Sequence, residues 1–141
     1  MKVSEVMTTD VATCWIEDTL SGCAENMRHL NVGAMPIVDS DNHVRGIITD
    51  RDIAIRAVAR GADPNQATIG QFMTPDPVTV LPDVSVEDAA SIMAEQQVRR
   101  LPVVDQNGCL LGIVSLGDLA VDIGEAELLA EVLEKISTPV R

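Results

Sequence analysis

The amino-acid sequence predicts an α+β protein made of two copies of one β-α-β-β-α unit. When the 141-residue chain is compared with itself at an offset of 66 residues, fourteen positions are identical without a gap, from Met7/Met73 to Ala54/Ala120. Both copies also carry their strand and helix patterns in the same order. A fixed internal period determines the architecture before other signals do. Because two copies are too few for a solenoid, we expect them to pack as a pseudo-twofold module.

Each copy begins with a short apolar strand that is followed by a helix. In the second copy the strand is Val78-Thr79-Val80, and Ser85 has the type and position of a helix N-cap. Residues at helical spacing then predict a face that packs on the core. These residues are Val86, Ala89, Ala90, Met93 and Gln97 in the second copy, and Leu20, Cys23, Ala24 and Met27 in the first.

A hairpin and a closing helix complete each copy. In the second copy the strands are 101–104 and 110–115, joined by an Asn-Gly turn at 105–108, and their counterparts in the first copy are 35–38 and 44–49. We expect the closing helices to begin near Asp50 and Leu116, and Gly61 to end the first of them as a C-cap. Apolar residues of that first closing helix include Ile53, Ala54, Ala57 and Val58.

Four segments follow from these patterns. Residues 1–61 form the first repeat, 62–67 a linker, 68–124 the second repeat, and 125–141 an added amphipathic helix. Thr68 and Gln71 have capping-box spacing at the start of the second repeat. Leu129, Val132, Leu133 and Ile136 share one face of the added helix, which either caps the core or binds a partner.

Composition excludes several classes of function. The net charge of −12 and the near absence of aromatic residues argue against nucleic-acid binding, because phosphates are repelled and bases find no stacking surface. No apolar stretch is long enough to cross a membrane, and the N-terminus lacks the apolar core of a signal peptide, so we expect a cytoplasmic protein without membrane contact. Cys14, Cys23 and Cys109 form no CxxC pattern, which favours reduced, mostly buried thiols.

The most informative motif is Gly, two apolar residues, Thr or Ser, two further residues and Asp. It occurs at 46–52 and again at 112–118. A hydroxyl and a carboxylate three residues apart at a helix start lie on one side of the first turn, where Asp52 and Asp118 could accept ribose hydroxyls and Thr49 and Ser115 could contact sugar or phosphate. The same spacing also fits a purely structural capping box.

Cations are distributed unequally between the copies. Arg99 and Arg100 precede a buried strand and are candidates for anion binding, although they could equally pair with carboxylates at a strand edge. The first copy has Gly33 and Ala34 at these positions, and Arg51 is a cation candidate in the first copy alone. Two sites built from these copies should therefore differ in phosphate affinity.

Catalytic motifs are missing from the sequence. It contains no P-loop, GxGxxG, GxSxG or HExxH pattern, so we expect no enzyme activity and no catalytic residue. His29 and His43 are the only imidazoles, and their positions suggest surface residues. A zinc site from Cys14, Cys109 and one histidine has no support from spacing, but it stays open as a metal-responsive alternative.

The repeated landmarks resemble the CBS domain, which occurs in tandem pairs called Bateman modules. The resemblance covers about residues 1–124, and the runs at 32–36, 49–52 and 97–102 are similar to small stand-alone bacterial CBS-pair proteins of the hypoxic-response type. It implies two clefts at the pseudo-twofold interface that hold AMP, ADP or ATP, and less often S-adenosylmethionine or NAD-type ligands. It also implies a homodimer that forms through the helices.

Ligand contacts follow from the resemblance residue by residue. Asp52 and Asp118 would hold ribose, Thr49 and Ser115 would contact ribose or phosphate, and Arg99 and Arg100 would reach phosphate. The base would be bracketed by Thr13, Cys14, Thr79 and Val80 and by apolar walls from Met35, Pro36, Leu101 and Pro102. We therefore expect a regulatory module that binds an adenine nucleotide, needs no cofactor and acts on a separate, unidentified effector protein. The alternative is an interaction or structural protein with vestigial clefts.

Overall fold

The computed structural model describes residues 1–121 and 126–138, and its helices and strands fall into two units. One unit is Val11–Pro77, and the other combines Met1–Asp10 with Val78–Arg141. The mixture of helices and sheets confirms the α+β class. Each unit contains the helix and the hairpin of one repeat.

The Val11–Pro77 unit has a four-stranded sheet in the order β1-β2-β3-β4. Strand β1 is parallel to β2, while β2/β3 and β3/β4 are antiparallel. Strand β2 is buried along most of its length, and β3 alternates between buried and more accessible residues. The elements are β1 Cys14–Trp15, α1 Leu20–Leu30, β2 Ala34–Val38, β3 Val44–Thr49, α2 Asp50–Asp52, a π-helical segment Ile53–Val58, a 3-10 turn Ile69–Gln71 and β4 Thr74–Pro75.

The second unit repeats this plan with weaker outer strands. The hairpin β5/β6 is antiparallel, and isolated bridges join Val80 to Val103 and Thr8 to Ile113. These bridges lie at the positions that correspond to the β1/β2 and β3/β4 pairs of the first repeat. The elements are a 3-10 turn Val3–Glu5, α3 Val86–Gln96, β5 Arg100–Val104, β6 Leu110–Ser115, α4 Leu116–Ala120 and α5 Ala126–Ser137.

The first ten or so residues of each repeat pack in the unit that contains the rest of the other repeat. Thr74 pairs with Ile47 of the first repeat, and Thr8 pairs with Ile113 of the second. The 3-10 residues Ile69 and Val3 are fully buried in the corresponding cores. The compact units therefore cross the boundaries of the sequence repeats, and this exchange was not part of the sequence-based description.

Close approach of these exchanged segments explains the glycine of the repeated motif. A Cβ on Gly46 would lie 2.9 Å from the Thr74 carbonyl oxygen, and one on Gly112 would lie 2.6 Å from the Thr8 carbonyl oxygen. Side chains do not tolerate such distances to backbone atoms. The glycines are thus required by backbone packing.

Local signals place the helices where the sequence predicts them. The Ser85 hydroxyl accepts a hydrogen bond from the Asp88 N–H at 3.1 Å and caps α3. Thr68 and Gln71 form the expected capping box, and Gly61 has a φ of 73° just after the π-helical segment. The predicted α1 and α3 stripes are buried at Leu20, Cys23, Met27, Val86, Ala89, Ala90 and Met93, with Ala24 half-buried.

Several local predictions were wrong. Val78-Thr79-Val80 forms no continuous strand, because only Val80 makes a bridge. Gln97 is the left-handed C-cap of α3 and is exposed, which takes it off the buried stripe. The first closing helix is not a regular α-helix: Asp50–Asp52 is α-helical and Ile53–Val58 is π-helical, with Ala57 as its buried residue.

The C-terminal helix packs on the second unit. Val132 is 2% exposed within the core, with Leu128, Leu129 and Ile136 against it, while Leu133 is 43% exposed. The Gln97 side-chain amide donates to the carbonyl oxygens of Lys135 and Thr138. The helix therefore caps the core; residues 122–125 and 139–141 of the predicted segments lie outside the described residues. No helix among the described residues is long and apolar enough to cross a bilayer.

Candidate functional site

The two Thr/Ser–Asp motifs form matching capping boxes at the ends of β3 and β6. Asp52 Oδ2 accepts the Thr49 N–H at 3.0 Å, and the Thr49 hydroxyl accepts the Asp52 N–H at 3.1 Å. The same pair of bonds joins Ser115 and Asp118, at 2.9 and 3.1 Å. The structural reading of the motif is therefore confirmed. In the described part of the chain each carboxylate uses only its Oδ2 in these bonds, so the cap does not occupy Oδ1.

The second repeat brings two arginines next to its capping box. Arg100 pairs directly with Ser115 across the β5/β6 ladder, and the Arg99 carbonyl oxygen accepts the Leu116 N–H at 2.8 Å. Both arginines are exposed. Within residues 1–121 and 126–138 neither guanidinium forms an ion pair, so the predicted alternative of pairing with a surface carboxylate is not seen there. This backbone pairing brings together Arg99, Arg100, Ser115 and Asp118, which we call the polar cluster of the second repeat.

The first repeat has the same backbone geometry but a different charge. The Gly33 carbonyl oxygen accepts the Asp50 N–H at 2.9 Å, as Arg99 does for Leu116. A Cβ on Gly33 would lie 3.2 Å from Asp50 Oδ2, so a carboxylate lies beside the position that holds an arginine in the second repeat. Arg51 is exposed on the first turn of α2. The sequence analysis did not identify Asp50 as a residue of the site. The alignment of the two repeats could have done so, because it places this carboxylate opposite an apolar residue, Leu116.

The residues that the resemblance assigns to the base lie on or beside β1, β2 and β5. Cys14 pairs with Ile37, and Val80 with Val103. Cys14, Val80, Met35 and Leu101 belong to the buried cores, Pro36 and Pro102 are also buried, and Thr13 and Thr79 are half-buried. Contacts from the buried positions to a ligand would therefore involve mainly their backbone, and the role of these residues stays a prediction.

Metal ligands are sparse in the described part of the chain. The group of His, Cys, Asp and Glu side chains that could hold an ion there is Asp39, Asp41 and His43, in the turn between β2 and β3, and it contains no cysteine. Asp39 Oδ2 already pairs with Arg45 Nε at 2.7 Å. Burial favours a higher pKa for the Asp39 carboxyl, but hydrogen bonds from the His43 N–H and the Arg45 guanidinium outweigh it, so the pKa lies below its usual value.

Comparison with known proteins identifies the repeat. The family model described as the CBS domain matches residues 3–58 and again 69–125. The chain belongs to the CBS-domain family. The CBS domain-containing protein YhcV of Bacillus subtilis is 44% identical over 135 residues, covering 96% of this chain and 94% of that protein. Hypoxic response protein 1 of Mycobacterium tuberculosis is 34% identical over 136 residues, with the same coverages.

Solved structures of CBS-pair proteins confirm the fold. Hypoxic Response Protein I with two coordinated zinc ions has a TM-score of 0.80 at 35% identity, covering 87% of this chain and 99% of that one. The CBS domain pair of MJ0100 in complex with 5-methylthioadenosine and S-adenosylmethionine has a TM-score of 0.78 at 29% identity, with coverages of 88% and 96%. CBSX2 in complex with AMP has a TM-score of 0.74 at 26% identity, with coverages of 88% and 98%. The expected resemblance to stand-alone CBS pairs is thus confirmed.

Proposed function

We propose that this CBS pair is a regulatory module that binds an adenine nucleotide and catalyses no reaction. The observation that carries the proposal is the polar cluster of the second repeat, in which Arg99 and Arg100 lie beside the Ser115–Asp118 capping box. The cap fixes the Asp118 carboxylate in place and leaves Oδ1 to accept the two hydroxyls of a ribose. A carboxylate next to exposed guanidinium groups matches a sugar that carries a phosphate.

The ligands of two structural relatives share one chemical group. AMP is bound in CBSX2, and 5-methylthioadenosine and S-adenosylmethionine are bound in MJ0100. All three contain adenine and a ribose with free 2′ and 3′ hydroxyls, and they differ at the 5′ position: a phosphate, a neutral thioether and a cationic sulfonium. We therefore assign recognition of the shared ribose to Asp118 and selection at the 5′ position to Arg99 and Arg100. Two guanidinium groups attract a phosphate and repel a sulfonium.

The same reasoning makes the two repeats unequal. Asp50, Arg51 and Asp52 together carry one net negative charge, whereas Arg99, Arg100 and Asp118 carry one net positive charge. We assign the phosphate-bearing ligand to the second repeat. The first repeat, with Thr49 and Asp52 but with Asp50 in place of a cation, is suited to adenosine ligands without a 5′ phosphate. AMP, ADP or ATP is the ligand we expect for the chain, at one high-affinity site.

Isothermal titration calorimetry with AMP, ATP, 5-methylthioadenosine and S-adenosylmethionine tests this assignment. Replacing both arginines by glutamine should weaken AMP and ATP binding about 10-fold or more and leave 5-methylthioadenosine unchanged. Asp118→Asn keeps an oxygen for the Ser115 N–H, so the helix cap stays, but it should weaken every adenosine ligand of that site by about 1–3 kcal/mol, the range for hydrogen bonds to a charged group. Absence of binding by all four ligands at millimolar concentration would refute the proposal.

The chain offers a matched control for the aspartate. Asp88 follows Ser85 at the same spacing and lies in the first turn of a helix capped by that serine, but it is exposed on α3 and has no role in the proposed site. Asp88→Asn should therefore leave all four affinities unchanged. Equal losses from Asp88→Asn and Asp118→Asn would mean that the effect is one of overall charge or helix stability.

We also propose that the module self-associates as a homodimer and acts on a separate effector protein. Ile55 and Val58 of the π-helical segment are 56% and 67% exposed, which is unusual for two large apolar side chains on one short element. Light scattering coupled to size-exclusion chromatography measures the molar mass of the protein directly. A monomer across the micromolar range would contradict the dimer without affecting the ligand assignment. A CBS pair that binds none of the four ligands but captures an effector would instead be an interaction protein.

A further inference from the structure

Two cysteine side chains meet in the core of the first unit. Cys14 lies on β1 and Cys23 on α1, and both are 0% exposed. Their Sγ atoms are 2.7 Å apart, and Met35 Sδ lies 3.9 Å from Cys14 Sγ. The third cysteine, Cys109, lies in the other unit and is reduced as well.

The distance between the two sulfur atoms restricts what the pair can do. Non-bonded heavy atoms in a packed core lie about 3.5–4.0 Å apart, and a disulfide bond is about 2.05 Å long. At 2.7 Å the sulfurs are closer than ordinary packing allows, and a shift of less than about 1 Å would bring them to bonding distance. The pair is too close for a zinc site, because two sulfurs that bind one zinc ion at about 2.3 Å in tetrahedral geometry lie about 3.8 Å apart.

We propose that Cys14 and Cys23 are an oxidation site, at which a peroxide converts the dithiol into a reversible intramolecular disulfide. The Cys23 thiolate attacks one peroxide oxygen, the O–O bond breaks and Cys23 becomes a sulfenic acid. The hydroxide that leaves takes up the proton that the Cys23 thiol released, and departs as water. Cys14 sulfur then attacks the Cys23 sulfur, the S–S bond forms, the S–O bond breaks, and a second water leaves with the Cys14 proton. Two thiols lose two electrons in total and hydrogen peroxide gains them. The proposal is independent of nucleotide binding.

The local environment supports this order of attack. The Cys14 thiol donates to Cys23 sulfur, which lowers the pKa of Cys23, and the same bond together with burial raises the pKa of Cys14. Cys23 is therefore the stronger nucleophile at neutral pH. Cys14 lies on a two-residue strand at the edge of its sheet, so local opening of one short strand gives a small peroxide access to the pair.

In the second repeat, other residues occupy the core positions that correspond to the two cysteines. Val80 and Ala89 occupy the equivalent positions, and both are buried. The site is thus specific to the first repeat. The variants Cys14→Val and Cys23→Ala introduce residues that the same fold already accepts, so they are suitable for testing the chemistry without loss of folding.

Tryptic mapping after peroxide treatment and alkylation tests the proposal. Cleavage after Lys2 and Arg28 leaves both cysteines in one peptide, 3–28, while Cys109 falls in peptide 101–135. In the full-length protein we expect peptide 3–28 without alkyl groups and about 2 Da lighter than the dithiol, because two hydrogens are lost, with recovery after dithiothreitol. Cys109→Ser should behave in the same way. Cys14→Ser keeps a hydroxyl that can donate to Cys23 sulfur, so it should accumulate a Cys23 sulfenic acid that dimedone traps faster than in Cys14→Val, and faster than Cys14 is trapped in Cys23→Ala.

Three outcomes would overturn the proposal. The first is a peptide 3–28 with two alkyl groups at a peroxide dose that oxidises Cys109. The second is a disulfide between chains in place of the internal one. The third is sulfinic or sulfonic acid on Cys14 or Cys23 with no S–S intermediate.

Discussion

Replacing Gly112 by alanine should destabilise the second unit, although the substitution adds a single methyl group. The new Cβ would lie 2.6 Å from the Thr8 carbonyl oxygen and 2.9 Å from Met7 Sδ. The methionine side chain can move aside, but the carbonyl is held in a bridge. Thr8 N–H donates to the Ile113 carbonyl oxygen at 2.9 Å, and Ile113 N–H donates to the Thr8 carbonyl oxygen at 3.0 Å. Relief of the clash therefore requires the N-terminal segment to leave the sheet edge.

The cost can be worked from these contacts. Two backbone hydrogen bonds contribute about 0.5–1.5 kcal/mol each, which gives about 1–3 kcal/mol if both are lost. Overpacking a core by one methyl group gives the same range. We therefore expect the free energy of unfolding to fall by about 2 kcal/mol, with a lower urea midpoint and a similar dependence on urea concentration.

Gly117→Ala is the matched control for this prediction. Gly117 lies five residues further along the chain, in α4, and its added Cβ would meet only Ser115 Oγ, at an ordinary 3.6 Å. Alanine is the better helix former, so this variant should be as stable as the wild type or up to about 1 kcal/mol more stable. If the free energy of unfolding of Gly112→Ala lies within about 0.5 kcal/mol of the wild-type value, which is the usual range for surface substitutions, the role assigned to the motif glycine is wrong.

Two further predictions concern the C-terminal helix and one surface carboxylate. Val132→Ala should lower the free energy of unfolding by about 1–3 kcal/mol, because it leaves a cavity between α5 and the core. Leu133→Ala, on the exposed side of the helix, should change it by less than about 0.5 kcal/mol. Chemical denaturation measures both values, and equal effects would mean that the helix does not cap the core. Arg45→Gln should raise the pKa of Asp39 toward its ordinary value in a carboxyl NMR titration, since the guanidinium supports the charged form. Because the pKa of Asp39 is lower in the folded state, its contribution to stability is present above the unfolded-state pKa and is lost as pH falls through the folded-state pKa. An unchanged titration in Arg45→Gln would show that the backbone N–H groups of His43 and Asp41 set the pKa without the guanidinium.

Local features of the fold could be predicted from the sequence because their signals are local. The caps at Ser85, Thr49 and Ser115 each combine a hydroxyl with an N–H three residues later, and the structure confirms all three. The hairpin turn at Gly108 has a φ of 86°, as an Asn-Gly pair predicts. The 66-residue repeat can be detected from the sequence alone.

Non-local features were beyond the sequence. The pairing of Thr8 with Ile113 joins residues more than 100 positions apart, and no turn or cap signals it. The contact between Cys14 and Cys23 depends on how a helix packs on a strand, whereas periodicity showed only that Cys23 faces the core. For the candidate site, sequence brought out the residues and their asymmetry, but only the β5/β6 register shows that Arg100 lies opposite Ser115.

The exchange of the two preceding segments has a consequence for how such a protein could arise and be dissected. A single repeat, cut out at its sequence boundaries, would carry a leading segment that fits another sheet and would lack the one that completes its own. Two such fragments could satisfy each other only by trading these segments, as in a domain-swapped dimer. Gene duplication and fusion would place both copies in one continuous chain. The tandem arrangement then keeps, within one polypeptide, the exchange of segments that two separate copies would need. A circular permutant that begins at residue 11 and carries residues 1–10 after residue 141 would alter this connectivity while keeping both exchanged segments in the chain.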